Sequence, residues 1–102
     1  MTQPDEIIHQ PVRLKIMAAL KALPPGKRLE FVRLKSIVGA TEGNLGAHIT
    51  TLENRGYVTV EKDFFAKRPR TRIGLTRAGR QAFEAYVTYL RDIIDVGATP
   101  KP

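Results

Sequence analysis

The chain has 102 residues, a length that suits a single domain with one thin hydrophobic core. Apolar residues make up 42% of it, which is ordinary for a globular protein and excludes wholesale disorder. The formal net charge of +7 favours an anionic partner, with nucleic acid ahead of an anionic membrane surface. Many small basic proteins have no such partner, so charge alone does not decide the function.

The residue types in the chain exclude several kinds of site. It contains no cysteine, so disulfides, thiolate metal sites and thiol redox chemistry are excluded. Only His9 and His48 could supply imidazole, and we expect no metal and no cofactor. Since no Ser/His/Asp set, phosphate-binding glycine loop or paired carboxylates is recognisable, we expect no enzyme. No apolar run approaches the ~20 residues of a membrane span and the polar N-terminus is unlike a secretory signal, which predicts a cytoplasmic protein.

The first third of the chain predicts two helices. Residues 1–6 are expected to be loose. A first helix begins at Pro11, which suits a first helical turn because its missing N–H costs little there, and Pro24-Pro-Gly26 ends it. A second helix is predicted over residues 29–38, with a left-handed end at Gly39. Its predicted apolar face consists of Phe31, Leu34, Ile37 and Val38.

A third helix follows after only a few residues. Thr41 can cap it, Glu42 suits its positive N-terminal end, and Gly56 ends it. Its buried stripe is predicted to be Leu45, Ile49 and Leu52. Two helices joined by a tight turn with a glycine predict a helix-turn-helix.

The second half predicts a hairpin and a long last helix. Residues 57–62 read as a strand, residues 64–70 as a mostly basic loop, and residues 71–75 as the returning strand. Of Phe64 and Phe65, one is expected to fold under the hairpin and seal the core. Thr76 can cap a last helix that ends near Asp95. The predicted fold is mainly α (α+β), a winged helix-turn-helix in the order α-α-α-β-wing-β-α.

Three segments carry a family resemblance that covers about residues 8–90. They are His9-Gln-Pro-Val-Arg-Leu-Lys-Ile16, then Glu42-Gly-Asn-Leu-Gly-Ala-His-Ile-Thr-Thr-Leu-Glu-Asn-Arg-Gly-Tyr-Val58, and Arg70-Thr-Arg-Ile-Gly-Leu-Thr-Arg-Ala-Gly79. With them the chain resembles the winged-helix transcription regulators of the MarR and ArsR type, and is most similar to small stand-alone members. The resemblance implies double-stranded DNA as partner. It also implies one domain over residues 1–102, with a core at about 8–75 and a C-terminal dimerisation helix at about 76–95.

The chain departs from the family pattern in its third helix. Members often carry Ser where Gly46 or Ala47 stands, and Lys or Arg where Thr50 and Thr51 stand. The third helix, which is the recognition helix of this family, is therefore nearly neutral. Either the affinity for phosphates comes from the wing and other segments, or DNA binding is weak. Metal sensing through cysteines, as in the ArsR type, does not apply.

The predicted DNA-binding residues form two groups. The exposed face of the third helix offers an amide that can read adenine and methyl groups that can touch thymine; its members are Thr41, Gly43, Asn44, Ala47, His48, Thr50 and Thr51. The wing and its base offer cations for phosphates or for the minor groove; its members are Lys62, Lys67, Arg68, Arg70, Arg72 and Arg77. Solvated polar and basic surfaces are the competing interpretations, and Arg72 could instead be structural. We interpret His48 as contacting DNA or simply exposed.

The last helix predicts a homodimer. Its apolar stripe is wider than one edge of a thin domain needs, which indicates a partner copy; it consists of Phe83, Tyr86, Val87, Leu90, Ile93 and Ile94. The competing interpretation is that the whole stripe is intramolecular core. Two-fold symmetry would imply a pseudo-palindromic operator with half-sites about 10 bp apart. A small-molecule effector, of unknown identity, would bind near Tyr86 and Tyr89.

The predicted function is sequence-specific DNA binding by a dimeric transcriptional repressor. The main alternative is a protein-docking winged helix or a non-specific architectural nucleic-acid binder, and RNA binding is also left open. A docking module needs no cluster of cations like that of the wing, which favours the DNA interpretation.

Overall fold

The structure is a computed structural model that describes residues 4–98. Its three strands form one antiparallel sheet in the order β1-β3-β2. The elements in chain order are α1 (Pro11–Lys21), β1 (Arg28–Glu30), α2 (Phe31–Val38), α3 (Glu42–Asn54), β2 (Val58–Phe65), β3 (Arg68–Leu75) and α4 (Arg77–Ala98). The predicted α+β winged helix-turn-helix is confirmed, with one strand more than expected.

The N-terminal stretch is ordered from Asp5 onward rather than loose, while residues 1–3 of it lie outside the described range. Asp5 Oδ1 accepts hydrogen bonds from the backbone N–H groups of Ile7 (2.9 Å) and Ile8 (3.3 Å), and the Ile8 side chain is fully buried. The Gln10 side chain then caps α1 by accepting from the N–H of Arg13. A capped turn of this kind has no helical or strand period, so the apolar pattern did not indicate it.

Leu29 lies in a strand and not in the second helix, which begins at Phe31. In the β1–β3 register Leu29 is opposite Ile73. A strand of three residues is too short to give a period of its own, which explains the wrong boundary. Ile37, predicted to be buried, is 50% exposed because Leu34 and Val38 occupy the core-facing line of this short helix.

The helix-turn-helix is confirmed. α2 ends at Gly39, whose φ of 74° is left-handed, and the hydroxyl of Thr41 caps α3 by accepting from the N–H of Asn44. The chain leaves α3 through Gly56 at φ 83°, another left-handed residue that favours glycine. The predicted stripe of α3 is buried, as expected, and consists of Leu45, Ile49 and Leu52.

The wing is a tight hairpin rather than a long loop. Strands β2 and β3 are each eight residues long. They are joined by Ala66 and Lys67, both with positive φ (51° and 65°), as in a type I′ turn. The prediction of a loop over residues 64–70 was wrong because the turn lacks the Gly or Asn that signals this geometry. Phe64 and Phe65 are 75% and 63% exposed, so neither seals the core. Both lie next to the turn, at the end of the hairpin that is farther from the buried Val58 and Ile73.

The last helix is anchored to the end of α3 and reaches Ala98, beyond the predicted end near Asp95. The hydroxyl of Thr76 donates to the carbonyl of Gly56 (2.6 Å) and accepts from the N–H of Gly79 (2.9 Å), which confirms its capping role. Gly79 packs against Tyr57 so closely that a Cβ would lie 2.1 Å from the Tyr57 carbonyl oxygen. Only glycine fits this contact. The contact therefore fixes the position of the first turn of α4 against Tyr57.

The core lies between the helices and the inner face of the sheet. The part of α4 after Leu90 does not contribute to it over residues 91–96, because every one of them is exposed. Within the described range, no helix is long and apolar enough to cross a membrane. The buried apolar side chains are Ile8, Ile16, Met17, Leu20, Leu34, Val38, Leu45, Ile49, Leu52, Tyr57, Val58, Ile73 and Tyr86.

Candidate nucleic-acid interface

The outward face of α3 is polar, nearly uncharged and largely unpaired. The hydroxyls of Thr50 and Thr51 donate to the carbonyls one turn earlier, at Gly46 and Ala47 (3.0 and 3.2 Å), so their methyl groups and oxygen lone pairs remain. Within the described part of the chain, the side-chain amide of Asn44 has no hydrogen-bond partner. Of the predicted members, Thr51 is half-buried, and the others are exposed on this face or at its start: Thr41, Gly43, Asn44, Ala47 and Thr50.

Two glycines leave open space on this helix. A Cβ built on Gly43 or Gly46 would meet no other atom within 4 Å. Neither has a left-handed backbone, and glycine inside a helix costs about 0.5–1 kcal/mol relative to alanine. Nothing in the fold therefore requires glycine at Gly46, and the groove beside it is free for another molecule.

His48 lies at the edge of the same face and is half-buried. Its Nδ1 is 3.1 Å from Nη1 of Arg13 on α1. Burial, and then the neighbouring guanidinium, lower the pKa of His48 below its ordinary value. The predicted site therefore has an additional neighbour, Arg13, which sequence reasoning missed because only the packing of α1 on α3 brings the two together.

A groove of about 560 Å³ separates α3 from the hairpin. Its α3 side carries Thr50 and the carboxylate of Glu53, and its hairpin side carries Lys62 and Thr71, which are opposite each other in the β2–β3 register. Because side chains alternate along a strand, Lys62 points to the α3 side of the sheet. Lys62 and α3 therefore lie on two sides of the same groove of the protein.

The outer face of the sheet is a network of ion pairs. Arg70 makes a bidentate pair with Asp63, with Nε and Nη2 each 2.9 Å from a carboxylate oxygen. Arg72 contacts Asp63 at 3.1 Å and also Glu61, which in turn lies 3.5 Å from Arg28. The hydrogen bond from Arg70 holds the pKa of Asp63 below its usual value. The two predicted phosphate ligands Arg70 and Arg72 are therefore already paired inside the hairpin.

The guanidinium of Arg70 also lies over the ring of Phe65, 4.8 Å from its centre. A cation over an aromatic face is attracted by the ring electrons. This contact extends the cross-strand interactions of the sheet as far as Phe65, next to the hairpin turn. One face of the exposed Phe65 ring is therefore in contact with the guanidinium of Arg70.

The remaining predicted cations are differently placed. Among the described residues, Lys62, Lys67, Arg68 and Arg77 are exposed and have no carboxylate partner. Lys67 and Arg68 lie at the hairpin turn, and Arg77 begins α4. Sequence reasoning missed the acidic partners Glu61 and Asp63, although their pairing with Arg72 and Arg70 follows directly from a two-residue turn at residues 66–67.

The predicted dimer surface divides along α4. Tyr86 is only 4% exposed and its hydroxyl lies 2.7 Å from Nδ1 of His9, so this member belongs to the core of one chain. Phe83, Val87 and Leu90 are half-buried. Ile93 and Ile94 are 44% and 65% exposed, and the neighbouring Val96, which the prediction omitted, is 66% exposed.

The residues predicted to lie near an effector, Tyr86 and Tyr89, line an open cleft of about 530 Å³. Its opposite wall is the N-terminal turn with Asp5, and Tyr57 lies at its base. The hydroxyl of Tyr57 donates to Asp5, and burial, followed by this hydrogen bond, raises the pKa of Tyr57. In the described range, no group of three or more potential metal ligands comes together.

Comparison with known proteins agrees with this geometry. Residues 12–94 match the family model of the winged helix DNA-binding domain. An uncharacterized protein of Methanocaldococcus jannaschii is 38% identical over 82 residues, which are 80% of this chain and 86% of that protein. The structure of a transcriptional regulator homologue from Pyrococcus horikoshii OT3 is similar at a TM-score of 0.79 and 34% identity, covering 89% and 87% of the two chains.

A MarR family transcriptional regulator from Silicibacter pomeroyi shares the fold at a TM-score of 0.68 and 24% identity, covering 92% of this chain and 62% of that one. The predicted resemblance is thereby confirmed. The matched segment runs from α1 through most of α4 and includes both the α3 face and the hairpin. The chain belongs to the winged helix DNA-binding domain family and is a DNA-binding transcriptional regulator.

Proposed function

We propose that the protein is a dimeric repressor that reads a pseudo-palindromic operator in double-stranded DNA, with α3 in the major groove and the hairpin on the adjacent phosphates. The observation that carries this proposal is the arrangement of α3 beside the hairpin. An uncharged face with an unpaired amide at Asn44 is flanked by the unpaired cations Lys62, Lys67 and Arg68. The amide can make hydrogen bonds with base edges, and the cations can bind phosphates.

The groups on α3 fit base edges. The carboxamide of Asn44 can make paired hydrogen bonds with adenine, and the methyl groups of Ala47 and Thr51 can contact the thymine methyl. The hydroxyls of Thr50 and Thr51 already donate within the helix, so their remaining polar capacity is to accept. This predicts a site with A·T pairs at the centre of each half-site.

Among the predicted cations of the hairpin and its base, phosphate contact falls to those that have no carboxylate partner within residues 4–98, which are Lys62, Lys67, Arg68 and Arg77. Each phosphate contact contributes about 0.9 to the slope of log affinity against log salt. Four contacts in each of two protomers would give a slope of roughly −7. Arg70 and Arg72 are not needed for this estimate, because they stabilise the hairpin.

Dimerisation is assigned to the exposed end of α4. Ile93 and Ile94 are exposed there at the end of the apolar stripe, and in water a second copy would cover them. We take residues 1–102 as one domain, with its core at about 8–75 and its pairing helix at about 76–95. We assign repression by occupying a promoter as the mode of action, and we expect this DNA-binding protein in the cytoplasm.

An effector, if the regulator has one, is assigned to the cleft between Tyr89 and the N-terminal turn. The cleft combines aromatic walls with the charged groups of Asp5 and Arg55. Such a site suits a small amphipathic molecule.

The test is selection of duplexes from a random-sequence pool by the full chain at near-physiological salt. An enriched inverted repeat with half-sites about 10 bp apart supports the proposal and supplies the operator. Bulk binding that depends on salt but selects no sequence would contradict it. That second outcome would favour an architectural binder or a docking module, for which the exposed Val32 and Phe64 supply an apolar surface.

A further inference from the structure

The contact between α1 and α3 determines which nitrogen of the His48 ring carries a proton. Nη1 of Arg13 is 3.1 Å from His48 Nδ1. An arginine guanidinium has only donors and keeps its charge at every physiological pH. The hydrogen bond therefore requires a lone pair on Nδ1. In a neutral imidazole the proton then lies on Nε2.

Arg13 is itself held in place by the N-terminal turn. Its Nε donates to the carbonyl oxygen of Ile7 at 2.5 Å. The turn is fixed by Asp5, which accepts from the backbone N–H groups of Ile7 and Ile8 and from the hydroxyl of Tyr57, and it is anchored by the fully buried side chain of Ile8. The guanidinium of Arg13 thus contacts the carbonyl oxygen of Ile7 through Nε and Nδ1 of His48 through Nη1. A rotation of the guanidinium would break both contacts.

His48 is placed where its remaining nitrogen can reach DNA. It follows the exposed Ala47 and lies one turn after Asn44 on α3, and its ring is half-buried on the α1 side. The contact of Nδ1 with Arg13 leaves Nε2 as the only other polar atom of the ring. Burial and the charge of Arg13 lower the pKa of His48, which favours the neutral imidazole near pH 7.

We propose that Arg13 is a positioning residue that holds His48 in the Nε2–H form, so that α3 presents a hydrogen-bond donor to an acceptor atom of duplex DNA. The inference rests on the proposed function. Two sources offer the acceptor: the major-groove edge of a base, such as guanine N7 or O6, and a phosphate oxygen. The amino groups of cytosine and adenine are donors, and the fixed tautomer does not accept from them.

The tautomer is measured first, in the full-length wild-type protein without DNA. Long-range proton–nitrogen NMR correlations of the imidazole distinguish a protonated from an unprotonated ring nitrogen. The proposal expects the proton on Nε2 of His48 at neutral pH. A proton on Nδ1, or an even mixture, would overturn it whatever the DNA-binding result.

The role of Arg13 is tested by Arg13→Met, which keeps the length of the side chain and removes its donors. The pKa of His48 is expected to rise towards its ordinary value of 6.5 and the tautomer preference to weaken. Thermal unfolding checks that the variant is folded. If Arg13→Met does not fold, the wild-type spectrum still tests the tautomer. If Arg13→Met folds and the pKa and tautomer of His48 are unchanged, the positioning role of Arg13 is overturned.

The donor is tested on the selected operator with a matched pair of variants. The amide nitrogen of glutamine can occupy the place of His48 Nε2, whereas that of the shorter asparagine occupies the place of Nδ1. We expect His48→Gln to bind close to wild type and His48→Asn to lose roughly 3- to 12-fold in affinity for each half-site, the value of one neutral hydrogen bond. Equal affinities for the two variants would overturn the donor role.

The same titrations identify the acceptor. If the acceptor is a base, the affinity that His48→Asn loses depends on the base pair at one position of the half-site, and no affinity is lost on a scrambled duplex. If it is a phosphate, the loss is the same on both duplexes. Failure of the wild-type protein to bind any duplex would contradict the proposed function itself and with it the DNA part of this inference, and the NMR result would still decide the Arg13–His48 part.

Discussion

α3 and the hairpin differ in how their polar groups are used inside the protein. α3 contains no lysine or arginine, and the amide of Asn44 on its outward face has no partner in the described chain. The hairpin is rich in cations, yet Arg70 and Arg72 are paired with Asp63 and Glu61. A count of charges therefore overstates the phosphate affinity of the hairpin. The unpaired groups, and not the charged ones as a class, mark the surface that is available to DNA.

The largest effect is expected from removing two unpaired cations of the hairpin. Lys67→Ala with Arg68→Ala would remove four phosphate contacts from a dimer, which lowers the salt slope by about 4 and the affinity roughly 100-fold near physiological salt. Titration of operator and scrambled duplexes by fluorescence anisotropy measures both. Lys15→Ala with Lys27→Ala is the charge-matched control, because both lysines are exposed outside α3 and the hairpin. Similar losses in the two double variants would mean that net charge alone drives binding.

The next effect separates base reading from phosphate binding. Asn44→Ala removes the unpaired amide of α3, and we expect a loss of about 1–3 kcal/mol for each half-site of the operator, with little change on a scrambled duplex. The salt slope should stay as in wild type, since no charge is removed. A substitution at Ser36, an exposed residue of α2, is a suitable control. An equal loss on both duplexes would contradict the assignment of Asn44 to a base.

A smaller effect, with the opposite sign, is expected from breaking the ion pairs. Asp63→Asn releases Arg70, whereas Arg72 keeps its contact with Glu61, so binding to random DNA should tighten and the salt slope should steepen by about 1 per protomer. The hairpin should also exchange its amide protons faster, because the cross-strand contacts weaken. Asp92→Asn, on the exposed part of α4, makes the same change in net charge. Weaker binding by Asp63→Asn would show that the paired arginines already contact DNA in their present arrangement.

The smallest effect concerns the open space on α3. Gly46→Ala adds a Cβ that meets no other atom, so the helix should gain about 0.5–1 kcal/mol of stability. Chemical denaturation measures this gain. If the backbone of α3 approaches DNA closely at Gly46, operator affinity falls at the same time. A loss of stability would contradict the open environment of this residue.

The sequence predicted the features that depend on local signals. Thr41 as a cap, the stripe of Leu45, Ile49 and Leu52, and the left-handed end at Gly39 all follow from residue types at helical spacing, and the structure contains each of them. β1 was missed because three residues around Leu29 are recognisable as a strand only through their pairing with Ile73.

The candidate site was predicted less completely, because it depends on register and packing. Ala66 and Lys67 turn the hairpin without a turn signal, and the pairing of Asp63 with Arg70 follows only once that turn is known. The contact of Arg13 with His48 joins residues on two helices and has no sequence signal. Tyr86 fits the apolar stripe of α4, yet the contact of its hydroxyl with His9 of the N-terminal segment has no sequence signal.

The most direct test of the division between α3 and the hairpin is one set of salt titrations. The wild type, Asn44→Ala and the Lys67→Ala, Arg68→Ala variant are each titrated onto the operator and a scrambled duplex at several salt concentrations. We predict that Asn44→Ala lowers the ratio of the two affinities and leaves the salt slope unchanged, while the double variant lowers the slope and leaves the ratio unchanged. Parallel changes of ratio and slope in both variants would contradict the account.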